Sequence, residues 1–221
     1  MGLKQTLRES FARLRMGICS VLGRVLFSTP LSFDDLAPSG PQLLLGPWEE
    51  GWALDIHSRR VGSTFQLTEI GWLVLKYKYR GRIDLADRLA DRIMLLMEQH
   101  PRLKTIDGIV TVPSSVKRLY DPVSLLGRVL TQRLGVPLFS KALQKTRTTR
   151  LQKEMCTRAQ KRANVAGAFA VKGDVRGKSL LVLDDLYDSG ETLKEVTRVL
   201  KRAGARSIKV LTLTRTRHAH L

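Results

Sequence analysis

The apolar run at residues 180–183 ends in two adjacent acids, Asp184 and Asp185, and a Ser-Gly turn follows them. After the turn, Thr192 opens a stretch in which apolar residues have helical spacing. Backbone N–H groups at a helix N-terminus lack helical partners, and the helix dipole favours an anion there. A phosphate in the turn would place both carboxylates beside a ribose, where they could bind its two hydroxyls. Residues 180–193 therefore predict a site for a 5-phosphorylated ribose, and the alternative is a buried parallel strand with a polar loop that binds nothing.

The same segment resembles the loop of type I phosphoribosyltransferases that binds 5-phosphoribosyl 1-pyrophosphate (PRPP). That loop has a hydrophobic run, two acids, two spacers, any residue, Thr or Ser, Gly, any residue and Thr. The resemblance implies that PRPP binds together with Mg²⁺ and that Asp184 and Asp185 hold the ribose hydroxyls and are the residues that could contact the metal. The residues implied for the 5′-phosphate are Asp188, Ser189, Gly190, Glu191 and Thr192.

A second polar loop follows the predicted strand at residues 106–112. In a parallel sheet the carboxyl ends of the strands lie at one edge, so this loop and the Asp-Asp loop can share one crevice. Hydroxyls, backbone N–H groups and two cations suit a pyrophosphate, which the loop after the first core strand binds in type I phosphoribosyltransferases. By that resemblance the pyrophosphate loop comprises Pro113, Ser114, Ser115, Lys117 and Arg118.

Several further segments resemble, in order and spacing, the ComF family of competence-associated phosphoribosyltransferases. These segments are residues 75–80, 108–113, 143–147, Gln152 and 162–169. The resemblance spans residues 65–216 and implies a type I phosphoribosyltransferase fold, an α/β architecture with a mostly parallel sheet flanked by helices. Many ComF proteins begin with a four-cysteine zinc ribbon, whereas this sequence has 2 cysteines. Because such domains also accompany anti-phage modules, including retrons, both competence and antiviral defence are open.

Asp188 is a candidate catalytic residue. Most phosphoribosyltransferase loops have Thr or Ala at this position, but the hypoxanthine–guanine branch has an acid near the purine. The resemblance implies that Asp188 exchanges a proton with a nitrogenous acceptor as a general acid/base. The alternative is an aspartate that caps the N-terminus of the following helix.

Charge points to a polyanionic partner, because the chain has 38 Lys and Arg against 20 acids and a net charge of +18. Residues 141–162 hold a basic run that includes Lys145, Arg147 and Arg150. These three side chains are expected either to close as a flap over the pyrophosphate or to bind DNA or RNA. A solvated basic surface without a partner is the alternative.

The chain divides into a segment at 1–62, with a basic helix and an irregular strap, and a phosphoribosyltransferase domain at 63–221. Residues 3–27 have the apolar spacing of an amphipathic helix with many arginines, which favours docking onto its own domain or a protein partner. Residues 76–80 alternate Lys or Arg with Tyr, a pattern that stacks bases or anchors a helix. A transmembrane run is absent from the sequence, and the few cysteines favour a reducing cytoplasm.

Hydrophobic periodicity predicts alternating strands and helices. Helices are expected at 68–82, 84–97, from the Asp121–Pro122 cap to Gly135, and 191–203, and strands at 106–112, 179–183 and 207–213. The resulting hypothesis is an enzyme that transfers phosphoribosyl from PRPP to an unidentified acceptor. The alternative is a non-catalytic module that senses PRPP or a nucleotide and binds nucleic acid or protein.

Overall fold

A computed structural model describes residues 40–61, 63–115, 120–150 and 154–216. The strands are β1 (Gln42–Leu43), β2 (Glu50–Ile56), β3 (Ser58–Val61), β4 (Thr64–Leu67), β5 (Gly108–Thr111), β6 (Leu143–Lys145), β7 (Phe169–Val171), β8 (Ser179–Tyr187) and β9 (Ser207–Arg215). The helices are α1 (Glu69–Tyr79), α2 (Leu85–Gln99), α3 (Pro122–Leu134), α4 (Arg158–Val165) and α5 (Glu191–Arg202), with a 3₁₀ turn at Pro101–Lys104.

A five-stranded sheet in the order β1-β2-β9-β8-β5 forms the centre of the fold. Strands β2, β9, β8 and β5 are parallel, and only the short β1 at the sheet's end runs antiparallel to its neighbour. Two antiparallel hairpins, β3–β4 and β6–β7, lie outside this sheet. The predicted mostly parallel α/β architecture is therefore confirmed, and the four parallel strands bring their carboxyl ends to one edge.

Helices cover both faces of the sheet, which explains why β8 reads as a continuous apolar run. Leu180 and Val182 lie in the core formed with α5 and the β6–β7 hairpin. Leu181 and Leu183 face the opposite core, formed with α1, α2 and α3. All four side chains are fully buried, and each contributes about 1.5–3 kcal/mol of hydrophobic stabilisation.

Local capping signals fix α3 at its predicted bounds. The Asp121 carboxylate accepts hydrogen bonds from the N–H groups of Val123 and Ser124, and Pro122 occupies the first turn. Gly135 closes the helix with a φ of 67°, a conformation that glycine adopts without strain. The predicted α1, α2 and α5 are also confirmed, with ends that shift by a few residues.

Two strands at the centre of the sheet differ from expectation. Strand β8 continues past Leu183 to Tyr187, because its pairing with β9 extends to Arg215. Strand β2 was missed, since the sequence analysis placed these residues beside the strap, and in the structure β2 pairs in parallel with β9. The predicted amphipathic helix at 3–27 lies outside the described residues. None of the helices in the described part of the chain is long and apolar enough to cross a bilayer.

Candidate functional site

Two aspartates lie side by side where β8 reaches the carboxyl edge of the sheet. The Asp184 Oδ1 atom accepts a hydrogen bond of 2.8 Å from the backbone N–H of Asp185. The Asp185 Oδ2 atom lies 2.6 Å from Nζ of Lys78, which reaches it from the last turn of α1. Burial raises the pKa of Asp184, and the adjacent Asp185 charge raises it further. The two adjacent carboxylates therefore differ, since Asp184 has a raised pKa and Asp185 is paired with a lysine.

The turn after these acids forms the start of α5. Gly190 has a φ of 78°, and a Cβ there would lie 2.6 Å from the hydroxyl oxygen of Tyr187. Glycine is required on both grounds, because a side chain would be strained and would collide with the tyrosine. The Ser189 hydroxyl accepts a hydrogen bond of 3.4 Å from the Glu191 N–H. Glu191 and Thr192 are the first residues of α5, where backbone N–H groups have no acceptor earlier in the helix.

Cations from α4 contact this turn. Lys161 Nζ lies 2.5 Å from Oδ2 of Asp188, and the Thr216 hydroxyl donates a hydrogen bond of 3.0 Å to Oδ1. Arg158 Nε lies 3.1 Å from Oε1 of Glu191. Asp188 therefore contacts a lysine and a threonine, and α5 begins after Gly190. The catalytic role and the capping role of Asp188 both stay predictions.

The second predicted loop approaches the same edge. Ser115 Oγ accepts a hydrogen bond of 2.5 Å from Lys145 Nζ, which also donates at 2.9 Å to Thr149. Burial lowers the pKa of Lys145, whereas the nearby Asp184 charge raises it. The structure thus brings the loop after β5, strand β6 and the end of β8 close together at the carboxyl edge of the sheet, which we call the candidate cleft.

Not every predicted residue of the loop after β5 can be located. Pro113 and Ser114 precede Ser115 directly and lie at the same edge. Lys117 and Arg118 lie outside the described residues.

The three basic residues predicted to act as one flap have separate contacts. Lys145 faces the cleft, as described. The Arg147 guanidinium donates a hydrogen bond of 2.9 Å to the carbonyl of Ala166 at the C-terminus of α4, where a cation is favourable. The backbone N–H and carbonyl of Arg150 bind the side-chain amide of Asn164. Arg147 and Arg150 therefore hold their segment against α4, and only Lys145 belongs to the cleft.

Comparison with known proteins adds a decisive observation, because residues 125–221 match the family model described as "Phosphoribosyl transferase domain". The chain is also 32% identical over 152 residues to the DNA utilization protein YhgH of Escherichia coli K12. This chain belongs to the type I phosphoribosyltransferase family, in its ComF-like branch. The match to the E. coli protein covers 65% of this chain and 66% of the relative, which is slightly less than two thirds of that protein.

Further relatives extend the match. The YhgH protein of Salmonella typhi is 28% identical over 231 aligned positions, covering 97% of both chains. Competence protein F of Haemophilus influenzae is 24% identical over 153 residues, covering 65% of this chain and 66% of the relative. Among solved structures, a purine phosphoribosyltransferase from Pyrococcus horikoshii aligns with a TM-score of 0.39 and 22% identity, covering 61% of this chain and 75% of that one.

Sequence reasoning missed the cations that pair with the carboxylates at this site. From the sequence, Lys78, Lys161 and Arg158 are recognisable only as members of basic segments. Lys161 is 27 residues from its partner Asp188. A basic residue in a periodic segment shows which helix face it occupies, but its partner depends on how that helix packs on the sheet.

A metal site held by the protein would need several ligating side chains close together. In residues 40–61, 63–115, 120–150 and 154–216, no three His, Cys, Asp or Glu side chains cluster at metal-binding distances. Mg²⁺ prefers near-octahedral oxygen coordination and keeps several waters or substrate oxygens.

Proposed function

We propose that this phosphoribosyltransferase binds a 5-phosphoribosyl ligand, PRPP or a nucleoside 5′-monophosphate, at the carboxyl edge of its sheet. One observation carries the proposal. The Asp184–Asp185 pair at the end of β8 is joined by a short turn to the Gly190-initiated N-terminus of α5. The carboxylates proposed to accept the ribose hydroxyls and the helix N-terminus proposed to bind the phosphate therefore belong to one continuous strand–turn–helix segment.

Each predicted residue then has a role in ligand binding. Asp184 and Asp185 accept hydrogen bonds from the two ribose hydroxyls. The phosphate-binding turn consists of Asp188, Ser189, Gly190, Glu191 and Thr192. Lys161 and Arg158 form ion pairs with acids of that segment. Both side chains can reorient toward a bound phosphate, whose two negative charges would attract them.

The leaving pyrophosphate is assigned to the loop after β5. Ser114 and Ser115 supply hydroxyls, and Lys145, held 2.5 Å from Ser115, supplies a cation. Lys117 and Arg118 continue the same loop in sequence and are assigned to the same group. Mg²⁺ bound to PRPP would neutralise part of the pyrophosphate charge. Cleavage of the C1–O bond leaves an oxocarbenium-like centre, which positioned charges stabilise before an acceptor nucleophile attacks C1.

Binding is tested by thermal unfolding in the presence of PRPP with Mg²⁺. Ligand that binds only the folded state raises the melting temperature by an amount that grows with ligand concentration. Asp184→Asn combined with Asp185→Asn is expected to abolish the shift, whereas Asp91→Asn combined with Asp174→Asn, two exposed acids away from the cleft, should preserve it. An unmoved melting curve for the wild-type protein at millimolar PRPP would contradict the proposal.

Catalysis is tested by release of pyrophosphate from PRPP in the presence of candidate acceptors. If Asp188 exchanges a proton with the acceptor, Asp188→Asn lowers turnover by about 10²–10⁴-fold while PRPP binding changes little. Lys161→Met is the companion variant, because it frees one Asp188 oxygen. Turnover that is unchanged by Asp188→Asn would assign this carboxylate to positioning of α4 alone.

A second candidate, a non-catalytic binding module, is favoured by the contacts of Asp188. Both of its oxygens already accept hydrogen bonds, from Lys161 and from Thr216. Such a module would bind PRPP yet release no pyrophosphate with any base, nucleotide or nucleic acid.

A role beside DNA is proposed from the names of the relatives, a DNA utilization protein and a competence protein. The net charge of +18 supports the same proposal. If the basic run contacts phosphates, affinity for DNA falls with salt, with a log–log slope of about −0.7 to −0.9 per contact. Replacing the exposed Arg150 and Arg162 with Ser should make the slope less steep by the amount that corresponds to one or two phosphate contacts. Replacing the exposed Arg88 and Arg92 on α2 should leave the slope unchanged.

A further inference from the structure

The ion pair between Lys78 and Asp185 closes one side of the candidate cleft. The side chains of the two residues are only 12% and 20% exposed, and Nζ lies 2.6 Å from Oδ2. The pair therefore does not belong to the class of solvated surface bridges that form and break freely. It lies at the carboxylates that the proposed function assigns to the ribose hydroxyls.

Lys78 is fixed in place by the helix that carries it. Its neighbour Tyr77 is fully buried and donates a hydrogen bond of 2.7 Å to the carbonyl of Pro122. The Tyr120 hydroxyl in turn donates to the carbonyl of Tyr77. The last turn of α1 is thus bound to the start of α3, so the ammonium is held at Asp185 by tertiary packing.

The chemistry of the donors at this place does not fit a divalent cation held by the protein. Asp185 is already neutralised by an ammonium, and a second cation at the same oxygen would be repelled by it at close range. In the described parts of the chain, no third carboxylate or imidazole joins the two aspartates to complete a metal-binding cluster. A lysine ammonium has three donors and can direct one of them toward a ligand hydroxyl or phosphate.

We infer that Lys78 is the resident cation of this site and takes the place that a protein-bound divalent ion would occupy against Asp185. The identity of the ligand in this inference rests on the proposed function, but the exclusion of the metal does not. It follows that the ligand-free protein binds no divalent cation at Asp184 and Asp185. It also follows that a ligand without pyrophosphate, such as ribose 5-phosphate, binds in the absence of metal.

The first experiment measures Mn²⁺ binding to the ligand-free full-length chain by electron paramagnetic resonance of free Mn²⁺. The wild-type protein is expected to show no site at the aspartates. Lys78→Gln, which keeps a hydrogen-bond donor but removes the charge, should bind Mn²⁺ at least about tenfold more tightly than wild type. Adding Asp185→Asn to Lys78→Gln should remove the new site. Equal Mn²⁺ affinity in wild type and Lys78→Gln would overturn the inference.

Two control variants separate charge at the site from general effects. Lys76→Gln removes a lysine of the same helix whose ammonium lies over Trp72, 5.1 Å from the ring centroid, and should behave as wild type. Lys78→Arg keeps the positive charge and should also exclude Mn²⁺. If Lys78→Gln fails to fold, wild type and Lys78→Arg still decide the question, because Mn²⁺ bound by either of them at Asp185 contradicts the inference.

The second experiment measures ribose 5-phosphate binding by calorimetry with a chelator and then with Mg²⁺. Wild type should bind equally well in both conditions, whereas Lys78→Gln should bind about tenfold more weakly with chelator and recover with Mg²⁺. Wild-type binding that requires Mg²⁺ would overturn the inference. If neither ribose 5-phosphate nor PRPP binds under any condition, the proposed function fails, while the Mn²⁺ experiment still decides the role of Lys78.

Discussion

Charged residues have different surroundings at the two edges of the central sheet, the amino edge where the parallel strands begin and the carboxyl edge where they end. At the amino edge, Lys209 is 2% exposed and donates hydrogen bonds of 2.6 and 2.7 Å to the carbonyl and hydroxyl of Thr105. Nearby, Asp107 accepts a hydrogen bond of 2.7 Å from the Ser179 N–H and pairs with Arg206 at 3.2 Å. These groups have close partners on the neighbouring strand or loop, so this edge serves as a structural polar network.

At the carboxyl edge, the partners of the acids come from separate elements, and at least one acid keeps an unfavourable electrostatic environment. Lys78, Lys145 and Lys161 reach the edge from α1, β6 and α4. Asp184 lies beside another carboxylate, and burial raises its pKa. Charges arranged at a stability cost are typical of binding sites, whereas fully satisfied networks are typical of scaffolds. The difference therefore supports the proposal that the function lies at the carboxyl edge.

The largest expected effect comes from matched glycine substitutions at the two edges. In Gly190→Ala, an alanine would have to adopt a left-handed backbone conformation and its Cβ would collide with Tyr187. The substitution should displace the backbone N–H groups of the turn and weaken phosphoribosyl ligand binding by about 100-fold or more. Gly177 has a φ of 68° but open space around its Cα, so Gly177→Ala should cost only about 1 kcal/mol and leave binding intact. Calorimetric titration with PRPP and thermal unfolding measure both. Equal binding losses would remove the distinction between the edges.

A buried lysine at the amino edge should affect stability without affecting binding. Lys209→Met removes two hydrogen bonds and leaves the Thr105 carbonyl without this donor, which should lower the free energy of unfolding by about 1–3 kcal/mol. Urea denaturation measures the change, and the affinity for PRPP should be unaltered. A weaker affinity for PRPP in Lys209→Met would show that the edges are coupled.

Asp184→Asn should stabilise the ligand-free protein and remove ligand binding. Burial and the Asp185 charge raise the pKa of Asp184 in the folded state, so the folded protein holds this proton more tightly than the unfolded chain. An acid with a raised pKa destabilises the fold as pH rises above its unfolded value of about 3.9. The gain in Asp184→Asn should therefore be absent near pH 4 and reach about 1–2 kcal/mol at neutral pH. Stability curves of both proteins against pH test this sign, and a gain that is largest at low pH would contradict it.

The smallest effect is expected for the exposed pair at the amino edge. Arg206 has a side chain that is 66% exposed, so Arg206→Ala should lower the free energy of unfolding by no more than about 1 kcal/mol. Because this contribution is small, its screening by added salt should change the free energy of unfolding of the wild-type protein very little. A double-mutant cycle with Asp107→Ala measures the coupling, and a value well above 1 kcal/mol would mean that the pair is part of the core network.

Local sequence signals determined α3 and the unit of β8, turn and α5. Asp121, Pro122 and Gly135 are capping residues at fixed spacing, and they act within one or two turns of the chain. The acids Asp184 and Asp185 and the glycine Gly190 belong to one continuous segment, so their relative geometry follows from strand, turn and helix alone. This is why the family and the parallel α/β fold could be predicted from the residues.

Tertiary structure decided which groups meet at the site. Strand β2 has no strong pattern of its own, and it becomes a strand by pairing with β9. Lys78 reaches Asp185, and Lys161 reaches Asp188, only because α1 and α4 pack against the carboxyl edge of the sheet. Sequence specifies local conformation through short-range sterics, capping and periodicity. The pairing of charges distant in sequence depends on the packing of whole elements, which is fixed by burial of their apolar faces and not by the charged residues themselves.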